Sequence, residues 1–296
     1  MSGRWRTRNT RKSARRANKK KTLYVSDLDG TLLQPDARLS DRTVELLNGA
    51  ISDGALFTVA TARTPATVAP IMSRVSMNLP AIVMTGAALW HGDTGRYSRL
   101  RLFDPEAARR LLDVYESNGT PSFVYFLKDD IITIRHTGDL SALQTEFMDE
   151  RSNTPFKRVE VAPDGSSQMP DRLEDVILFY SMLPNDIGER TYALTRDIPG
   201  VRAQYYHDIY GEQTAILEAF SNEATKAKAM RALAGSLGAD RIVAFGDNIN
   251  DLPMMQEADL AVAVANARPE VKEAADIVIG PNTADSVAKF IAEGGA

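Results

Sequence analysis

A chain of 296 residues without a single cysteine has no disulfide framework and no thiolate chemistry to offer. Its 44% hydrophobic and 25% charged residues suit a folded chain of about two domains, and no apolar run reaches the roughly 18 residues needed to cross a bilayer. The net charge of −4 is unevenly placed: residues 1–21 hold ten Lys or Arg and no acid, leaving −14 on the remainder.

That basic tail reads either as an arm for nucleic acid or anionic membrane, or as a leader that repels itself into extension. With Trp5 as its one aromatic and no amphipathic period, the disordered reading is the better one. No apolar run long enough for a signal-peptide core follows Arg15-Arg16, so a cytoplasmic location is expected. Nucleic acid is expected as a partner only through residues 1–21, and no oligomeric state is read from the sequence.

The ordered chain opens with Leu23 to Val25, a buried strand ending in Asp27-Leu28-Asp29-Gly30-Thr31. On a regular strand Asp27 and Asp29 point to one face, and two carboxylates held close repel unless a cation or proton lies between them. The bland alternative is a capped turn. Ser40 caps a helix striped by Val44, Leu47 and Ile51 and closed at Gly54. Leu56 to Ala60 is a second strand, followed by Thr61-Ala62-Arg63-Thr64-Pro65 at a helix start, where free amides favour an anion. Ala81 to Met84 is a third strand, ending in Thr85-Gly86-Ala87. Short loops between strand and helix indicate right-handed parallel crossovers.

From about residue 88 the rhythm changes to hairpins and helices. A helix opens at Asp104-Pro105. Strands at 122–127 and 131–137 flank Lys128-Asp129-Asp130, a helix covers 140–150, and a strand lies near 156–161. Val176 to Met182, a helix over 186–197 and strands near 201–206 and 214–217 complete an α+β segment with its helices on one face. The α/β rhythm then returns with a helix from Asn222 to Leu237 that carries Lys226. Ile242 to Phe245 is a strand ending in Gly246-Asp247-Asn248-Ile249-Asn250-Asp251. Leu260 to Val264 and Ile277 to Ile279 are further strands, with Pro269 opening the helix between them.

Four features thus stand at strand ends or helix starts of one sheet: Asp27/Asp29, Thr61, Lys226, and Asp247/Asn250/Asp251. Singly each has an ordinary structural reading. In this order the chain resembles the haloacid dehalogenase (HAD) superfamily of phosphohydrolases, most closely its Cof-type (IIB) branch. Asp27-Leu28-Asp29-Gly30-Thr31 matches the first motif, Thr61 the second, Lys226 the third, and Gly246 to Asp251 the fourth. The chain departs from the branch at Ala62, commonly Gly, and at Thr85, often Asn.

The resemblance implies an α/β fold: a Rossmann-like parallel-sheet core from 22–87 and 218–296, with an inserted α+β cap from 88–217. It implies a Mg²⁺-dependent phosphatase of small phosphorylated metabolites, sugar phosphates above all. Asp27 would be the nucleophile and Asp29 the general acid and base. Thr61, Lys226 and Asn250 would hold phosphate oxygens. Asp27, Asp29 through its backbone carbonyl, Asp247 and Asp251 would serve the metal. A phosphosugar mutase is the related alternative; a nucleic-acid-associated protein acting through the tail is the alternative of another class. His91, His136 and His207 share no ligand spacing and read as structural. Tyr205, Tyr206 and Tyr210 line a pocket or pack a sheet.

Overall fold

The computed structural model describes residues 20–151, 154–160, 169, 173–207 and 213–295. The tail through residue 19 and Tyr210 lie outside them, as does the side chain of His207.

The chain opens with β1 (Thr22–Ser26), α1 (Asp41–Ser52), β2 (Leu56–Val59), α2 (Pro65–Met72) and β3 (Ala81–Val83). Leu23 and Val25 have no exposed surface, as befits a strand covered on both faces. The Ser40 side chain caps α1 by accepting from the Thr43 N–H at 2.9 Å. A hairpin absent from the sequence reading follows, β4 (Ala88–Trp90) and β5 (Tyr97–Ser98), and it pairs antiparallel with β3. β3 therefore belongs mainly to a small three-stranded sheet; it touches the second strand's extension through a single parallel bridge, Ala60 to Ile82.

The middle of the chain contains α3 (Pro105–Ser117), β6 (Phe123–Lys128), β7 (Ile131–His136), α4 (Ala142–Arg151), β8 (Lys157–Val159), β9 (Val176–Pro184), α5 (Asn185–Thr195), β10 (Val201–His207) and β11 (Thr214–Ser221). These strands form a six-stranded sheet in the order β10-β11-β9-β6-β7-β8, antiparallel except for the β7–β8 pair. Asp129 and Asp130 turn the β6–β7 hairpin with φ of 52° and 59°, the left-handed pair that a two-residue hairpin turn needs.

Both faces of this sheet carry helices, which corrects the expectation of one. Val124, Phe179, Leu217 and Ala219 pack with Leu111, Leu112 and Tyr115 of α3. On the opposite face Phe147 of α4 stacks on Tyr180 at 5.0 Å and on Phe123 at 5.6 Å. That second face joins the same apolar cluster as β1 and its neighbours, so the two sheets share buried surface.

The chain ends with α6 (Lys226–Leu237), β12 (Arg241–Gly246), α7 (Leu252–Gln256), β13 (Leu260–Val264), α8 (Pro269–Ala274), β14 (Ile277–Ile279) and α9 (Ser286–Ala292). The central sheet is wholly parallel, in the order β14-β13-β12-β1-β2. From β1 the chain runs outward to β2 on one side and returns later to β12 on the other. β1 and β12 therefore flank the topological switch point, where the crevice at the carboxyl ends of the strands takes ligands.

Candidate active site

Asp27 follows β1 directly and Asp247 follows β12, and the two ends are level: the Asp27 N–H donates to Phe245 O at 3.0 Å. Ala60 N–H likewise donates to Ser26 O at 2.8 Å, which brings Thr61 to the same edge. The loop after Asp27 is pulled tight by Leu33 N–H on Leu28 O at 2.9 Å. It passes through Gly30 at φ 79°, where a Cβ would lie 2.4 Å from Asp247 Oδ2. Glycine is required there both for the turn and for the approach. Thr31 Oγ1 donates to Asp247 Oδ1 at 2.8 Å, and Asn266 Nδ2 holds Gly30 O at 2.7 Å.

α6 starts four residues later than the sequence reading placed it. Thr225 caps it, its side chain accepting from Lys228 N–H at 3.0 Å, and Lys226 becomes its first residue. The Lys226 ammonium is buried and donates to Asp27 Oδ1 at 2.5 Å and to Asp251 Oδ1 at 2.8 Å. Asp251 is fully buried; its other oxygen accepts the N–H groups of Asp247 and Asn248 at 3.2 and 3.3 Å. Asn250 Oδ1 is buried with no hydrogen-bond partner among the described residues.

Asp29 parts from Asp27. The chain leaves strand geometry after Asp27, and the Asp29 carboxylate is held by both forks of Arg63, Nε to Oδ2 at 2.7 Å and Nη2 to Oδ1 at 2.6 Å. It remains about half exposed (54%), outside the cluster of carboxylates around Lys226. Arg63, Thr31 and Asn266 are site residues that sequence reasoning passed over. The first two stood inside quoted motifs; Asn266, in the loop after β13, carries no local signal.

Oxygens of Asp27, Asp247 and Asp251 all lie within 4.8 Å of one another. One ammonium faces three carboxylates, so negative charge is in excess. Burial pushes Asp27 up to about 8, with Asp251 and Asp247 adding to the shift and Lys226 opposing it. Burial, with Asp251, takes Asp247 to about 6 against the Thr31 hydrogen bond. Burial disfavours the charge on Lys226, but Asp251 and Asp27 outweigh it and hold its pKa above the ordinary lysine value. An all-oxygen donor set with uncompensated negative charge fits a hard divalent cation such as Mg²⁺.

His91 and His136 stay out of this cluster. His91 Nε2 is 2.8 Å from Ser98 Oγ, and His136 Nδ1 is 3.1 Å from Gly138 O. A cavity of about 440 Å³ lined by Met72, Met77, Trp90, His91 and Phe156 lies away from the carboxylates. One of about 490 Å³, lined by Leu39, Arg63, Ile71 and Arg74, reaches the site only through Arg63. No helix among the described residues is long and apolar enough to cross a membrane.

A profile of the haloacid dehalogenase-like hydrolases matches residues 24–291. The chain is 24% identical over 283 residues to the 5-amino-6-(5-phospho-D-ribitylamino)uracil phosphatase YitU of Bacillus subtilis, covering 92% of this chain and 96% of that one. It is 25% identical over 277 residues to the pyridoxal phosphate phosphatase YbhA of Escherichia coli, covering 91% and 97%. The structure of the HAD subclass IIB sugar phosphatase BT4131 superposes with a TM-score of 0.66 at 21% identity, over 93% of this chain and 99% of that one.

Proposed function

The chain belongs to the haloacid dehalogenase-like hydrolases, a phosphoric monoester hydrolase, and we propose that it is a Mg²⁺-assisted phosphatase of small phosphorylated metabolites, sugar phosphates foremost. The observation that carries the reading is the convergence of Asp27, Lys226, Asp247 and Asp251 at the switch point of the parallel sheet.

An Asp27 oxygen attacks phosphorus, the bond to the leaving oxygen breaks, and that oxygen takes a proton from Asp29. Asp29 then takes a proton from water, whose oxygen forms the new bond to phosphorus as the Asp27–phosphorus bond breaks. Asp29 must let go of Arg63 to serve in either step, since both its oxygens are engaged there. Lys226, at the first turn of α6, Thr61 and Asn250 hold the transferring oxygens in a buried setting where charge is poorly screened. Asp27, Asp247 and Asp251 would hold the cation, with the carbonyl of Asp29. Bound there, Mg²⁺ supplies positive charge that lets an anionic nucleophile meet an anionic phosphate.

Support for small substrates comes from the names of the relatives, which act on a phosphoribitylamino-uracil and on pyridoxal phosphate, and from the sugar phosphatase neighbour. The test is a screen of the purified chain against a phosphometabolite panel, with and without EDTA, scoring free phosphate. Phosphosugar isomers without phosphate release would make it a mutase instead. Turnover undiminished by EDTA would remove the metal from the reading.

A further inference from the structure

Arg63, which clamps Asp29, is also part of the wall of the cavity of about 490 Å³. Two further arginines, Arg38 and Arg74, line that cavity. The one acid in the lining is Asp36, which accepts the Arg38 N–H at 3.1 Å. Leu39, Pro70 and Ile71 give the same cavity apolar surface. The turn that presents Arg38 is fixed by Gln34 N–H on Arg38 O and Ala37 N–H on Gln34 O, each at 2.9 Å. The Arg38 guanidinium has no hydrogen bond or ion pair among the described residues. Arg74 pairs with Asp41 at 2.7 Å, but both side chains are exposed, and such a pair yields to a competing anion at little cost.

Three guanidinium groups around one cavity repel one another, and an anion between them relieves the repulsion. The cluster around Lys226 is the opposite case, with negative charge in excess. Arg63 links the two, because the fork it gives to the Asp29 carboxylate is the fork that another carboxylate or a phosphate would take. We propose that this cavity binds the acidic group of a small organic anion through Arg38, Arg63 and Arg74, and that this anion competes with Asp29 for Arg63. Leu39, Pro70 and Ile71 take its carbon frame. Two sources offer that chemistry: a second acidic group on the substrate, or a separate small acid. The binding site stands without the phosphatase reading; only the use of the released Asp29 oxygens in proton transfer rests on it.

The test begins with the full chain free of metal, where the catalytic carboxylates repel anions. Succinate is titrated calorimetrically into the wild type, Arg38→Gln, Arg63→Gln and Asp29→Asn, with succinamide as the uncharged control. Succinate should bind the wild type and succinamide should not. Arg38→Gln and Arg63→Gln should each weaken binding about tenfold, as the loss of a charged hydrogen-bond partner does. None of these variants alters the basic tail, so their losses belong to the cavity. Asp29→Asn should tighten binding about fivefold, because the competing carboxylate is gone; a misfolded variant does not gain affinity. Absence of succinate binding, indifference to Arg38→Gln or Arg63→Gln, or no gain with Asp29→Asn would each overturn the proposal. Kinetics with Mg²⁺ separates the sources, using acid-bearing monoesters from phosphoglycolate upward in chain length, each with its alcohol counterpart. If the anion belongs to the substrate, Arg38→Gln lowers kcat/KM more for the acid than for the alcohol. If it is a separate acid, succinate speeds hydrolysis of the alcohol monoesters, and Arg38→Gln loses that effect. Neither pattern, in a chain that hydrolyses these esters, would overturn the release of Asp29. Failure to hydrolyse any of them would count against the phosphatase reading and leave the binding result intact.

Discussion

Asp27 and Asp29 are two residues apart and face different tasks. Asp27 is buried against Lys226, whereas Asp29 is half exposed against Arg63. Asp27→Asn should retain the fold and lose turnover by several orders of magnitude, the usual result of removing a nucleophile. Asp29→Asn should cost about 10²–10⁴-fold, the range of general acid–base contributions. Steady-state kinetics with circular dichroism checks both, and near-native turnover by Asp27→Asn would end the mechanism. Thr85 carries another residue-scale consequence. It is a buried β-branched residue held at φ 55° with its hydroxyl unpartnered among the described residues, and such strain costs on the order of 1–3 kcal/mol. Asn tolerates that conformation, so Thr85→Asn should raise stability by about 1 kcal/mol in chemical denaturation. Ala62 is outside the left-handed region, so its methyl group imposes no backbone strain. Glu218 sets a pH dependence. Burial raises its pKa from 4.5 to about 7 against the pull of Tyr206 and Arg202. The native state then holds a proton that the unfolded chain has already lost, so stability falls as pH rises from about 4.5 to about 7. The fall is on the order of 3 kcal/mol. Glu218→Gln should flatten that part of the wild-type curve; identical curves would show that the carboxyl is not raised.

At the scale of elements, the two acidic loops were legible because each follows a short apolar strand closely. Asp27-Leu28-Asp29-Gly30-Thr31 and Gly246 to Asp251 announce themselves by composition and place. The start of α6 was not legible at its true position. Asn222 and Thr225 are both capable caps, and only tertiary packing selects Thr225. The β4–β5 hairpin was missed because Ala88-Leu89-Trp90 is three residues long and its partner two, too short for alternation to register. The Arg63–Asp29 pair spans 34 residues and has no local signature. Gly86 shows how tightly these elements are fitted. At φ 94° its missing Cβ would lie 2.2 Å from Thr225 O and 2.8 Å from Lys226 N. Gly86→Ala must push the first turn of α6 away from Asp27. Overpacking of this kind costs roughly 1–3 kcal/mol, and here the displaced residue is Lys226. Melting temperature and kcat should both drop. Unchanged kinetics would mean that the position of Lys226 is not set by this contact.

Across the whole molecule, the fold gathers three carboxylates from β1 and the β12 loop around one ammonium and leaves negative charge to spare. Repulsion of that kind is borne by the native state alone, because in the unfolded chain Asp27 and Asp251 are separated by more than two hundred residues of flexible backbone. A divalent cation that binds the native cluster must therefore stabilise the entire chain, by about 2.7 kcal/mol at a hundred times its dissociation constant. For a chain of 296 residues that corresponds to a melting temperature higher by about 4–5 °C. Mg²⁺ should produce this rise and EDTA should reverse it. Asp247→Asn, which removes one charge but keeps an acceptor for Thr31, should reduce it sharply. Protons provide a second reading of the same event. Burial holds Asp27 near 8 and Asp247 near 6 without a cation, and a metal-bound carboxylate must be ionised. Mg²⁺ binding at pH 7 should therefore release protons, seen as a dependence of the calorimetric heat on the ionisation enthalpy of the buffer. Asp27→Asn should lose most of that release. Mg²⁺ binding with no proton release, or a melting temperature indifferent to Mg²⁺, would place the cation elsewhere than between these three carboxylates.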